Sequence, residues 1–503
     1  MTTGKALNGK PYAGNPHVAP SQRYGGTSRF DEGEVASCTA EASLRRVHCR
    51  RQPEGRASVC AATPRRGSLL YKLNDRTAFP TVRALSAIVV AALCAVCTDA
   101  EAATWPDGSP MDAWFADRSP VNEASLGPLR RAQEFGAKPD AVGLQTDDLQ
   151  RAIDTIASDG GGVLVLGPGV WNTSSIFFKP KVHLKLEKGA VLKGPEDGGK
   201  TPTAMTRMVG LSFVYNVAIV NADGCDGFTL YGEGTIDGNG RKTWEAFWPK
   251  RNANSQFKDW TLPRPRNLYV SNSTDVRVSG VTVKDSHFWS THFYKCKRVK
   301  IDHVRIVAPG RNTPPAAPSP DAVDLDVVTD AHVWASYMDV NDDAICLKGG
   351  KNYGCEKLPE NGGNFNILVE NCTFGPVTHS AFTCGSEAFL CRNIIVRNCE
   401  LRGSGRLLWL KARPDTKQLY EHILVENATG RSRYVFFMFP WTQWFTLPEG
   451  VGKQETRVRN VEFRNCRVHG VNKVEIDKSW MSLEGFRFDN RQEAKGNEGS
   501  EAR

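Results

Sequence analysis

Five aspartates crowd into one short part of this 503-residue sequence: Asp321, Asp324 and Asp326 in SPDAVDLD, then the adjacent pair Asp342 and Asp343 in NDDAICLKGG. In an extended strand, residues two apart point to the same side, so Asp324 and Asp326 share a face. Asp321 and Asp342 are 21 residues apart, about one coil of a repeating β structure, which would set three or more carboxylates on adjacent rungs over one groove. Carboxylates so placed repel, and the repulsion raises the pKa of at least one, so that a general acid and a general base coexist at one pH. Glycoside hydrolysis has that requirement. Two other readings fit the same residues: a tight turn at Asn341-Asp342-Asp343 beside ladder aspartates, and a cluster of oxygens around calcium.

The elements that would hold these side chains repeat along the chain. The segments DVRVSGVTV from Asp275, RVKIDHVRI from Arg298, NILVENCTF from Asn366, NIIVRNCEL from Asn393, HILVENATG from His422 and NVEFRNCRV from Asn460 share one pattern. Each has a polar residue, alternating apolar positions, a polar pair and a second short β segment. Starts fall 23, 27 and 29 residues apart where the repeats are uninterrupted, which predicts a solenoid whose coils stack their apolar side chains. The fold class expected is all-β, a right-handed parallel β-helix over residues 103–489, because the consensus of a leucine-rich horseshoe and the aromatic signature of a propeller are both missing. Thr146 to Ile156 reads as a short amphipathic capping helix with Thr146 as N-cap and Leu149, Ala152, Ile153 and Ile156 on one face. Cys372, Cys399 and Cys466 share one repeat position with Val281 and Val304, and so read as a core ladder.

Four motifs in order, SPDAVDLD, NDDAICLKGG, THSAFTCGSE and RLLWLKARP, on this repeated β pattern resemble glycoside hydrolase family 28, the polygalacturonases and rhamnogalacturonases. The similarity runs from the FGAKPD entry near Phe135 to about Pro440. It implies an inverting hydrolase without a metal or cofactor. Asp342 would protonate the glycosidic oxygen, Asp321 and Asp343 would activate water, and His379 would orient or tune an aspartate. Inversion needs room for that water, about 6.5–9.5 Å between carboxyl groups. Asp324 is expected to support the site.

Departures from the family pattern sharpen the substrate question. The family's Gly-His-Gly is Thr378-His379-Ser380 here, and its Arg-Ile-Lys is Trp409-Leu410-Lys411, so one cation is missing. Lys411 is the expected partner of a sugar carboxylate, with Arg413 two residues on as a replacement guanidinium and Trp409 as a stacking face or a core residue. Lys348, His292 (in DSHFWSTHFYKC), Arg264 and Arg266 are further candidate substrate contacts, with Trp289 packed beneath. The stretches from Ala308 to Ser319 and from Gly349 to Gly363 exceed the repeat and flank the aspartates, so they are expected to close one end of the groove and favour attack from a chain end.

Composition excludes a wholly disordered or membrane-embedded chain: 40% of residues are hydrophobic and 24% charged. The net charge of +9 is concentrated before the repeats, since residues 1–81 carry 13 Lys and Arg against 6 Asp and Glu. That stretch has no apolar period and is expected to be disordered, as upstream sequence ahead of a true start near Val82. Residues 82–102, with the apolar run ALSAIVVAALCAV and then Ala100-Glu101-Ala102, read as a secretory signal, and residues 490–503 as a polar tail. The expected protein is therefore secreted or periplasmic and monomeric, with no membrane span after cleavage, a pectic polysaccharide as partner and no nucleic acid. Rival readings are a rhamnogalacturonan backbone hydrolase, a calcium-dependent pectate-lyase-like eliminase and a non-catalytic carbohydrate-binding β-helix.

Overall fold

The computed structural model describes residues 103–491; the expected disordered segment 1–81, the signal 82–102 and the tail beyond residue 491 lie outside the described residues. The repeats form a parallel β-helix in which each coil pairs with the next in parallel register, as between Val276 and Val299, Ile367 and Ile394, and Ile423 and Val461. The polar residue opening each repeat has a positive φ, between 54° and 59° for Asp275, Arg298, Asn366, Asn393, His422 and Asn460. Asn and Asp tolerate this left-handed conformation best, which explains their recurrence there. Their amides also stack: Asn366 Nδ2 donates to Asp330 Oδ1 at 2.9 Å and Asn393 Nδ2 to Asn366 Oδ1 at 3.3 Å.

Inward side chains of successive coils make one continuous apolar core. Cys372, Cys399 and Cys466 lie in it on a single row with Val281, Val304, Ser336 and Ala428, as the strand register requires. All nine cysteines among the described residues are free and buried. Helix α1 (Thr146–Ser158) buries Leu149, Ala152, Ile153 and Ile156. Gln145, not Thr146, is its N-cap, because the Thr146 hydroxyl accepts from Ser174 N at 2.8 Å instead. The last strand runs through Asn490, so β structure extends one residue into the expected tail. The segment before α1 crosses several coils and is pinned by Asp107 to Asn393, Asp117 to Lys300 and Glu123 to Tyr231.

One face of the helix carries the aspartates. Its strands, in stacking order, are β1 (Ile176–Phe178), β2 (Val220–Asp223), β3 (Leu268–Ser271), β4 (Thr291–Tyr294), β5 (Val323–Asp326), β6 (Asp343–Lys348), β7 (Ser380–Cys384), β8 (Glu400–Ala412) and β9 (Thr429–Pro440). Three insertions rise over this face: a hairpin of residues 203–216, helix α2 (Arg241–Ala253) with the segment after it, and the segment following β9.

Candidate active site

Register on this face places outward side chains in rows. One row runs Tyr269, His292, Asp324, Cys346, Thr383, Trp409 and Phe437; the next pairs Asp326 with Lys348 and Lys411 with Phe439. The reactive aspartates sit at strand entrances, where the backbone turns onto the face. Ala322 N donates to Asp343 O at 3.0 Å and His379 N to Asp342 O at 3.0 Å, so the stacked coils carry Asp321, Asp342, Asp343 and His379 on neighbouring rungs.

Asp342 keeps 31% of its side chain exposed toward the groove, whereas Asp343 keeps 1%. Lys411 Nζ lies 2.7 Å from Asp343 Oδ2. Burial alone would raise the Asp343 pKa, but Lys411 above all, with Lys348 behind it, holds it below the usual carboxylate value. Asp343 is therefore the ionised member. Asp321 behaves oppositely: burial, reinforced by Asp342 and Asp343, outweighs Lys348 and raises its pKa to about 8. Asp324 is also raised, by burial and by Asp321. Lys348 Nζ stands at the centre of an acidic cage, 3.3 Å from Asp321, 3.4 Å from Asp324 and 3.3 Å from Glu387, and the ionised Glu387 helps to keep it protonated despite burial.

His379 Nδ1 is 3.8 Å from Asp342 Oδ1 and 4.0 Å from Asp343 Oδ1, and Arg406 Nη1 is 3.0 Å from His379 Nε2. Burial and then the Arg406 guanidinium pull the imidazole pKa down to about 3. The ring is 47% exposed to water, which weakens both the burial and the charge contributions to that depression. Two groups of donor atoms could in principle share a cation, Asp342 with Asp343 and His379, and Asp321 with Asp324 and Cys346. Each already holds an ammonium, Lys411 in the first and Lys348 in the second, so a metal would have to displace a lysine.

The chain is similar to known proteins. Residues 200–426 match the family model described as Glycosyl hydrolases family 28. These residues form a family 28 region. A probable polygalacturonase of Vitis vinifera is 26% identical over 233 residues, 43% of each chain, and a polygalacturonase of Medicago sativa is 22% identical over 383 residues, 71% of this chain and 80% of that one. The chain thus spans under half the length of the grape relative. Among solved structures, a polygalacturonase from Erwinia carotovora ssp. carotovora aligns with TM-score 0.56 at 16% identity, covering 73% of this chain and all of that one. An exopolygalacturonase from Thermotoga maritima aligns with TM-score 0.51 at 16% identity, covering 73% and 91%. At these identities the structures establish a common β-helix fold.

Against this family 28 framework, several expected substrate contacts prove internal. His292 is fully buried, with Nδ1 2.7 Å from Arg266 Nη1 and Nε2 3.4 Å from Asp326 Oδ2, because the hairpin of residues 203–216 covers its row. Arg264 and Arg266 are buried with it; Arg266 donates to Arg207 O and Thr206 Oγ1, both on the hairpin. Arg413 does not replace the missing cation: it is buried, pairs with Asp415 at 2.7 Å and donates to the carbonyls of Gln443 and Trp444. Lys348 is the counter-ion of the acidic cage. Trp409 is 2% exposed, sandwiched by Arg406 at 4.0 Å and Lys411 at 4.1 Å, so its face is not open for stacking. Trp289 lies under Lys348, 4.4 Å from its Nζ.

Three residues of the site went unread as site residues in the sequence. Glu387 ends the THSAFTCGSE motif; it accepts from Ser386 Oγ at 2.8 Å, and Lys348, Lys351 and Lys411 hold it ionised against burial. Lys351 lies 3.8 Å from Glu387, and burial lowers its pKa to about 8. Arg406 precedes Trp409 by three residues, a spacing with no strand-face meaning, yet its guanidinium lies over the indole ring.

Proposed function

We propose that the protein hydrolyses α-galacturonosyl bonds of pectic polysaccharide with inversion, acting from a chain end. The observation that carries the hydrolytic reading is the unequal pair: Asp342 open to the groove beside Asp343, which is buried and held ionised by Lys411. Asp342 gives its proton to the departing glycosidic oxygen while Asp343 takes one from water. Asp343 Oδ1 is buried and accepts no hydrogen bond from the protein, so its acceptor capacity is unfilled in this structure. Asp321, raised by burial, enters the cycle protonated, so water activation rests on Asp343 and not equally on both, as the sequence suggested.

Inversion rests on the family resemblance. The carboxyl spacing does not support it, since donor oxygens of Asp342 and Asp343 come within 4.8 Å, inside the roughly 6.5–9.5 Å of most inverting enzymes. Proton NMR of the first-formed anomer decides the point: a β-configured product supports inversion and an α-configured one overturns it.

Attack from an end is supported by an asymmetry of the face. On the side of β3 to β5, His292, Asp324, Asp326 and Arg266 are all buried beneath the hairpin, whose own Arg207 is buried against Asp326. The hairpin turn reaches Glu387 so closely that a Cβ on Gly210, whose φ is +72°, would lie 2.7 Å from the Glu387 Cβ. The Gly349–Gly363 stretch joins this wall, with Gly350 N donating to Glu387 O at 2.7 Å and Tyr294 Oη to Glu360 O at 2.7 Å. Trp260, after α2, meets Trp444, after β9, at 5.8 Å between ring centroids. The Ala308–Ser319 stretch instead ties to α2 through Trp248 and Ala316 O. On the side of β8 and β9, Arg406, Tyr434, Phe439 and Trp441 stay partly exposed. On this reading the polymer leaves on that side. Early release of mono- or disaccharide from polygalacturonan, without a fast fall in viscosity, is expected; a mixed oligomer ladder at early times would refute it.

Export is part of the proposal, supported by the apolar run of residues 84–96, and among the described residues no helix is long and apolar enough to cross a membrane.

A further inference from the structure

Arg406 makes two hydrogen bonds to a single residue. Its Nη1 lies 3.0 Å from His379 Nε2 and donates to His379 O at 3.3 Å. The guanidinium is clamped by aromatic faces, with its central carbon 4.0 Å from the Trp409 centroid and 4.4 Å from that of Phe437. Such stacking fixes a planar cation in orientation as well as in place. A guanidinium has donors and no acceptor, so His379 Nε2 must accept. A neutral ring then carries its one proton on Nδ1, which faces Asp342 Oδ1 at 3.8 Å and Asp343 Oδ1 at 4.0 Å. The charged groups acting on the ring are Arg406, Lys411 and Arg311 on the positive side and Asp342 and Asp343 on the negative side.

We infer that Arg406 is a positioning residue for catalysis: it locks His379 as the neutral Nδ1–H tautomer against the acid pair. The physical need is specific. An imidazolium about 4 Å from Asp342 would favour its carboxylate form and remove the proton that Asp342 must deliver. A neutral ring orients the carboxyl without that charge. Arg406 achieves this by occupying the nitrogen where a second proton would go. The depressed imidazole pKa agrees with the geometry. The inference also explains how the site tolerates Trp409 where the family pattern has arginine: the indole is the surface on which Arg406 is held.

The role given to Asp342 rests on the proposed function, but the state of His379 can be read without any turnover. In the full chain, long-range nitrogen–proton NMR of His379 is expected to show Nδ1 protonated and Nε2 bare, with no titration between about pH 4 and pH 8. In Arg406→Gln the midpoint should rise by about two units or more toward the ordinary imidazole value of about 6.5. In Arg406→Lys, whose ammonium still donates to Nε2, it should rise less. In parallel, kcat of Arg406→Gln should fall below the new midpoint and recover above it with KM unchanged. An Nε2–H tautomer or a midpoint near 6.5 in the wild type overturns the inference, and needs no variant to fold. So does an unchanged midpoint in Arg406→Gln, or a raised KM with an unchanged midpoint, which would put Arg406 on the substrate. Failure of the wild type to cleave any pectic polymer refutes the proposed function instead and leaves the titration readable.

Discussion

Replacing Lys411 with methionine isolates what keeps Asp343 ionised. The ammonium is 2.7 Å from Asp343 Oδ2, and the carboxylate is 1% exposed, so water cannot take over its solvation. Breaking a buried pair by removing one partner costs about 3–5 kcal/mol. At about 1.4 kcal/mol per unit, the Asp343 pKa should rise by two units or more, because burial then acts with its largest opposing charge removed. In the wild type the Asp343 pKa lies below its unfolded value of about 3.8, so its contribution to stability is present above that pH and is lost as pH falls through the lower folded value. In Lys411→Met the sign reverses: the folded pKa lies above the unfolded one, and the variant gains stability relative to wild type as pH falls through the raised value. The acid limb of kcat/KM on galacturonate oligomers, followed by reducing-end release, should move up by about two units, with a loss on the order of 10²-fold or more at mildly acidic pH. Thermal unfolding across the same range checks the stability sign. An acid limb that stays in place would show that Lys411 does not set the charge of Asp343, and the assignment of the base would fall with it.

Other expectations follow from single distances and exposures. Asp342→Asn should lower kcat by about 10²–10⁴-fold with unfolding unchanged, because the side chain is 31% exposed and faces the groove; wild-type turnover would remove it as the acid. Asp321→Asn should cost less activity than Asp343→Asn, since an amide stands in better for a carboxyl that is already protonated; the reverse order in kcat would return Asp321 to the role of base. Arg413→Met should destabilise the fold by about 3–5 kcal/mol in denaturant unfolding by stranding the buried Asp415 carboxylate; a change in KM alone, at full stability, would restore it as a substrate contact.

Much of this protein was legible in the amino-acid order, because its repeating signals are local. The apolar alternation and the Asn, Asp and His residues at positive φ specify each coil from within that coil, so the β-helix and the cysteine row could be read directly. The convergence of Asp321, Asp342 and Asp343 was legible for the same reason: in a solenoid, one repeat in sequence is one rung in space. The fate of the cations was not. Lys348, His292, Arg266 and Arg413 have the chemistry of substrate contacts, and their burial follows from the hairpin of residues 203–216 and from Asp415, insertions outside the repeat. Which aspartate is ionised depends on desolvation and on ammonium groups reached through space, and Arg406 gains its hold on His379 only through its stacking on Trp409. Sequence alone determined the scaffold and the convergence of the aspartates, since stacking repeats register from neighbour to neighbour. Tertiary structure decided which groups are charged and which are reachable, because burial and electrostatics are set by segments distant in the chain.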